Sequence, residues 1–148
     1  KNPDYKWLIL GDGEDKEKLE NKIKEYNLED KLILKGKVSN VEDYYKNSAL
    51  YVMTSRFEGL PMTLLEAKNF KLPIVSFDCQ TGPSEIIRNN INGYLVKAND
   101  TKEMTNKVNS ILKNNKKLKE FSDKAELDID KFNLDSITNK WTNILSTI

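Results

Sequence analysis

The chain has 148 residues, enough for one sizeable core, with 38% hydrophobic and 32% charged residues. That balance fits a folded protein with a heavily charged surface and excludes a disordered tail. The net charge is +1 with no basic block, which gives nucleic acid no footprint, and no apolar run reaches the roughly 18 residues of a membrane-spanning helix.

Short apolar runs alternate with longer amphipathic stretches. Trp7–Leu10 (WLIL) ends at Gly11 and reads as a buried strand, and Asp15–Tyr26 then places Leu19, Ile23 and Tyr26 at helical spacing. Leu32–Leu34 is a second strand closed by Gly36, and Val41–Asn47 a short helix. Leu50–Met53 (LYVM) is a third strand. Pro61–Phe70 is a helix, with Pro61 suited to its first turn. Pro73–Phe77 (PIVSF) and Gly93–Val96 (GYLV) are the fourth and fifth strands. From Thr101 onward the apolar period is helical, in two or three pieces that include Met104, Val108 and Ile111, then Leu118 and Phe121, then Ile137, Trp141 and Ile144. Apolar strands separated by helices predict a parallel sheet covered on both faces. Such sheets bind ligands at the carboxyl ends of their strands, which here are Gly11–Glu14, Gly36–Asn40, Thr54–Leu60, Asp78–Ser84 and the turn after Val96.

The chemistry these segments can offer is limited from the outset. There is no histidine and one cysteine, Cys79, so Cys/His zinc sites, Ser-His-Asp triads and internal disulfides are excluded within this chain. A lone cysteine is consistent with a reducing compartment. Only Arg56 and Arg88 could supply a guanidinium fork for phosphate. The GDG turn, Gly11 to Gly13, could hold a phosphate on backbone N–H groups, but Lys16 stands where a dinucleotide fingerprint wants a third glycine. It is equally a tight strand-to-helix turn. Gly36 lets the chain turn sharply, so the backbone of Lys37–Ser39 could face a flat ligand, or simply make an ordinary turn.

The richest segment is Ser55–Asn69, SRFEGLPMTLLEAKN. A strand runs through a polar loop into a helix whose start offers unpaired N–H groups and a positive dipole end. Glu58 precedes that helix and Glu66 lies inside it. A carboxylate beside a phosphate site is electrostatically adverse unless it binds something else, and sugar hydroxyls qualify because one carboxylate accepts two of them. The spacing of the pair carries no information, since Glu17 and Glu25 share it on a solvent-facing helix. On composition alone Glu58 reads first as a carboxylate on a helix dipole, and Glu66 as a solvated surface residue. In DCQTGPSEII, Asp78 to Ile87, Ser84 is a candidate N-cap and Glu85 could pair with Arg88.

SRFEGLPMTLLEA, followed by LPIVSFDCQTGPSEII and NGYLV, resembles the C-terminal domain of family-4-type retaining glycosyltransferases, the GT-B architecture of two Rossmann-like halves. The resemblance runs in register from about Asn2 to Val96, and SFDCQTGPSEII is similar to the bacterial polysaccharide-biosynthesis subgroup. It implies an α/β, Rossmann-like three-layer sandwich, with a mainly parallel sheet of about five strands, helices on both faces and a helical C-terminal tail. It implies that residues 1–148 are a single donor-binding domain of an enzyme that transfers a hexose or N-acetylhexosamine from a UDP-sugar to a saccharide or lipid-linked saccharide acceptor, with roles for named residues. Glu58 would position the donor sugar, as the one residue given a catalytic part. Gly59 and Leu60 would lie along the sugar and diphosphate. The N–H groups of Met62, Thr63 and Leu64 would bind the diphosphate, and Glu66 the ribose hydroxyls. The backbone of Lys37 and Val38 would contact the nucleobase, and Gly11 and Gly13 would shape the cleft floor. No metal or cofactor is implied.

In this family a further strand and helix, bearing an Arg and a Lys that clamp the diphosphate, precede the segment resembling WLILGDG. The chain begins KNPDYKWLIL, without a Met or a signal-peptide shape, so the expectation is an excised fragment, inactive alone and lacking its N-terminal acceptor domain. The full-length enzyme is expected in the cytoplasm, with peripheral association at the inner face of the membrane as an option. Two rival readings are a nucleotide-sugar epimerase domain and a non-catalytic docking module that binds no nucleotide.

Overall fold

The computed structural model describes residues 5–147. The order of elements is β1 (Trp7–Leu10), α1 (Lys16–Glu25), β2 (Leu32–Gly36), α2 (Val41–Lys46), β3 (Tyr51–Met53), α3 (Met62–Asn69), β4 (Ile74–Asp78), α4 (Pro83–Ile86), β5 (Gly93–Lys97), α5 (Thr101–Leu112) and α6 (Asn115–Asp123). A 3-10 turn, Ile129–Phe132, and α7 (Leu134–Leu145) complete the chain. The protein is α/β with parallel strands and a helical C-terminus, as expected. Among the described residues the five strands pair as two sheets, β1–β2 and β3–β4–β5, where one sheet was predicted. The chain divides correspondingly into two compact units, Lys1–Lys46 and Asn47–Ile148. No described helix is long and apolar enough to cross a membrane.

In the first unit β1 and β2 run parallel, with Trp7 opposite Leu32 and Ile9 opposite Leu34. The register then slips, so that Leu10 faces Gly36. Gly36 turns out of the strand at φ 65°, and its carbonyl accepts the Gly11 N–H at 2.8 Å. Among the described residues of this unit, Ile23 of α1 and Tyr45 of α2 are the buried apolar side chains. Trp7 remains 45% exposed and Leu8 37%, so the run that reads as a doubly covered strand is not covered here.

The second unit holds the main core. β4 lies between β3 and β5, with Val75 opposite Val52 on one side and Tyr94 on the other. Val75, Phe77 and Val96 pack with Met104 and Ile111 of α5 and Phe121 of α6. Phe121 is wholly buried and meets Tyr94 edge-on, with ring centres 5.0 Å apart. Burying one such side chain contributes about 1.5–3 kcal/mol. Three helices start on side-chain caps that take orphan N–H groups: Asp100 accepts from Glu103 N, Asn114 from Lys117 N and Asn133 from Ser136 N. α4 starts differently. Ser84 lies inside it, and Gly82 at φ 95° precedes Pro83, because Pro occupies the first helical position and the residue before it must cap. α7 has the predicted helical period, yet Ile137, Trp141, Ile144 and Leu145 are all exposed.

Candidate functional site

In the first unit, Gly11 stands at the carboxyl end of β1 with φ 116°. With Leu10, Asp12, Gly13, Leu19 and Leu34 it lines a cavity of about 250 Å³. The Asp12 carboxylate accepts the Gly13 N–H at 3.2 Å, so this turn holds a negative charge where a phosphate would need donors. Gly11 and Gly13 therefore shape a cavity wall and do not present an anion cradle. Lys37 is exposed and Val38 half-buried, just after the left-handed turn at Gly36.

In the second unit the β3–α3 connection brings the other predicted residues together. Glu58 and Glu66 are both half-buried, while Gly59, Leu60, Met62 and Thr63 are exposed. α3 starts at Met62, one residue after Pro61, which takes the cap position in extended conformation. The first turn of any helix leaves N–H groups without intrahelical acceptors. Leu64 is an exception to the predicted trio: its N–H donates to the Pro61 carbonyl at 2.9 Å and its side chain is wholly buried. That leaves the N–H groups of Met62 and Thr63 as the candidate donors at this end. No acidic residue sits in the first turn to compete for them. The apolar face behind, Leu64, Leu65 and Ala67, anchors the helix in the core.

Tyr51 belongs to this site and was not among the predicted residues. Its side chain is paired with Thr63 by a hydrogen bond, and burial is the main cause that raises its phenol above the ordinary value of 10.0. The charges of Glu66 and Glu58 push in the same direction. In sequence, Tyr51 passes for one more apolar residue of the LYVM strand. Only its placement beside Thr63 gives the hydroxyl a role.

Several side chains of Asp78–Asn92 turn out to be occupied. Arg88 pairs with Asp128, its Nη2 donating to Oδ1 at 2.9 Å and its Nε to Oδ2. It does not pair with Glu85, whose backbone carbonyl instead accepts from Lys131 Nζ at 2.6 Å. Of the two arginines, Arg56 is the one left outside an ion pair among the described residues. Cys79 is buried, and burial pushes its thiol up, away from the reactive thiolate. Asn89 and Asn92 accept the backbone N–H groups of Leu95 and Arg88, which fixes the turn into β5. Lys68, on the buried side of α3, donates to the carbonyls of Ile86 at 2.9 Å and Leu127 at 2.8 Å. Among the described residues no group of three or more His, Cys, Asp or Glu side chains could hold a metal ion.

The profile of the family described as Glycosyl transferases group 1 matches residues 1–128. The amylovoran biosynthesis glycosyltransferase AmsD of Erwinia amylovora is 39% identical over 142 residues, covering 96% of this chain and 40% of the relative. The poly(ribitol-phosphate) alpha-N-acetylglucosaminyltransferase of Staphylococcus aureus is 35% identical, covering 96% of this chain and 29% of the relative. A crystal structure of an S. aureus TarM mutant, in complex with Fondaparinux, alpha-GlcNAc-glycerol and UDP, superposes with a TM-score of 0.88 at 36% identity, over 93% of this chain and 28% of that one. The chain thus spans less than half the length of each of these three proteins.

Proposed function

Because the chain belongs to the glycosyl transferases group 1 family, we propose that it forms the donor-binding part of a retaining glycosyltransferase, one that moves a hexose or N-acetylhexosamine from a UDP-sugar to a saccharide or lipid-linked saccharide acceptor in surface-polysaccharide synthesis. The carrying observation is the β3–α3 connection, where two half-buried carboxylates flank an exposed helix start. The names of the relatives support the reaction class, and the UDP in the TarM complex supports the nucleotide.

The division of labour follows from charge. The N–H groups of Met62 and Thr63 and the positive end of α3 take the diphosphate. Glu66, one turn into the helix, accepts from the ribose hydroxyls. Glu58, ahead of the helix, accepts from hydroxyls of the sugar and so positions it for attack. Gly59 has ordinary φ, and a Cβ added there meets nothing within 4 Å, so the fold itself makes no demand for glycine. A ligand lying on the backbone would make that demand. As UDP departs, the developing charge is met by a preorganised helix end, with no metal or cofactor in the scheme. Acceptor binding and turnover are functions of the whole protein, at work in the cytoplasm or at the inner face of the membrane.

Calorimetric titration of the chain with UDP, UDP-GlcNAc and NAD tests the reading. Binding of UDP in preference to NAD, unaltered by a chelator, is the expected result. A preference for NAD would overturn it in favour of an epimerase-like domain. No heat with any nucleotide at millimolar concentration would leave a docking module.

A further inference from the structure

We infer that the turn between β4 and α4 is a brace for the sugar-facing loop, and that Thr81 and Gly82 are positioning residues for the donor sugar. The inference rests on the donor-binding reading of the β3–α3 connection.

Three contacts carry it, and they fall on neighbouring residues of one loop. Phe57 and Gln80 form an isolated parallel bridge outside the regular strands. The Thr81 hydroxyl donates to the Glu58 carbonyl oxygen, with the Gln80 carbonyl as its second neighbour at 2.7 Å. Gly82 is pressed against Gly59 and Pro61: an added Cβ would lie 2.4 Å from Pro61 Cδ and 2.7 Å from the Gly59 carbonyl oxygen. Backbone and a rigid ring cannot give way as a flexible side chain would. The loop from Phe57 to Pro61 is thus tied at its bridge and at the Glu58 carbonyl, and at the Gly59 carbonyl and the proline that leads into α3 it lies so close to the turn that only glycine fits there.

The brace is itself wound into an uncommon conformation. Thr81 has φ 66° and Gly82 φ 95°. A β-branched residue in the left-handed region is a genuine outlier, sustained only where its surroundings over-determine it. Its hydroxyl bond to Glu58 is one such constraint. The contacts also have a direction. Gly59 is closed at its carbonyl by Gly82 and open where a side chain would stand. A loop with one side propped and the other side empty presents that second side to a ligand. The side chain of Glu58 leaves from the residue whose carbonyl Thr81 holds, so the brace sets where that carboxylate stands relative to the start of α3.

The test separates sugar from nucleotide. Thr81→Val keeps the shape and removes the hydroxyl, and Thr81→Ser restores it. Affinity is measured by calorimetry for UDP and for the tightest binder among UDP-GlcNAc, UDP-glucose and UDP-galactose. Amide hydrogen exchange is followed at residues 57–60. Thr81→Val is expected to weaken the UDP-sugar about 3- to 10-fold, the scale of one hydrogen bond, with UDP nearly unchanged. Exchange at residues 57–60 should accelerate, and Thr81→Ser should return both readouts to the starting values. Gly82→Ala should give the larger loss, provided its melting curve remains cooperative. Equal losses for UDP and UDP-sugar, or a serine variant that behaves like the valine one, would overturn the inference. A chain that binds no nucleotide removes the donor reading and the sugar role with it. Exchange at residues 57–60 in the valine variant still decides whether the turn is a brace.

Discussion

At the scale of single residues, the two carboxylates of the β3–α3 connection have separable tasks. Glu66→Ala should weaken UDP and UDP-sugar alike. Glu58→Ala should weaken the UDP-sugar relative to UDP. A hydrogen bond to a charged group contributes about 1.5–3 kcal/mol, so each loss should be about 10- to 150-fold in Kd by calorimetry. Equal losses of both ligands with Glu58→Ala would contradict its sugar role. Residue types at the turns are legible in the sequence, because Gly36 and Pro61 announce a turn and a helix start by their own backbone limits. Partnerships across long separations are not. Arg88 finds Asp128 forty positions away, and no spacing rule connects them. Lys68 looks in sequence like one more surface lysine, and the fold places it 1% exposed.

At the scale of elements, Lys68 is what ties three pieces together. It projects from α3, the helix that offers its N-terminus to the diphosphate, and reaches the end of α4 and the turn before Ile129. Burial lowers its ammonium from 10.5 to about 8, with Asp128 opposing the shift and Lys131 and Arg88 adding to it. Lys68→Met leaves two carbonyls without their donor and should cost about 1–3 kcal/mol at pH 7, measured by urea unfolding. The pH dependence has a definite sign. Between pH 8 and pH 10.5 the unfolded chain holds the proton that the folded one has released, so raising the pH stabilises the native lysine protein. The deficit of the Met variant should therefore widen from pH 7 to pH 9.5. A deficit that narrows over that range would mean the buried amine does not titrate as placed. The elements themselves are mostly legible, because apolar period and glycine punctuation mark them. The start of α4 is misread at Ser84, since the proline before it dictates the cap more firmly than a hydroxyl can.

At the scale of the whole molecule, the two units differ in how much they bury. The first unit's apolar interior is built around Ile23 and Tyr45, whereas the second packs Val75, Phe77, Val96, Ile111 and Phe121 into a continuous cluster. Local opening is easiest where few apolar contacts are lost. Amides of β1, β2 and α1 should exchange with deuterium well before those of β4 and β5. Uniform protection across both units would contradict this gradient. Periodicity correctly announces five parallel strands, since each run of apolar residues closes on a turn. It cannot announce that they form two ladders, because which edges pair is decided by segments far apart in sequence.

The exposure of Trp7 and Trp141 has a practical consequence. These are the chain's two tryptophans, 45% and 60% exposed, and one sits in each unit. Indole emission moves to longer wavelength in contact with water, so the native spectrum should already be red-shifted and should change little on denaturation. The ordinary fluorescence trace of unfolding will then be nearly silent, and circular dichroism is the better monitor. The same two rings become selective instruments when anything covers them: a blue shift that disappears with Trp7→Phe reports on the first unit, and one that disappears with Trp141→Phe reports on α7.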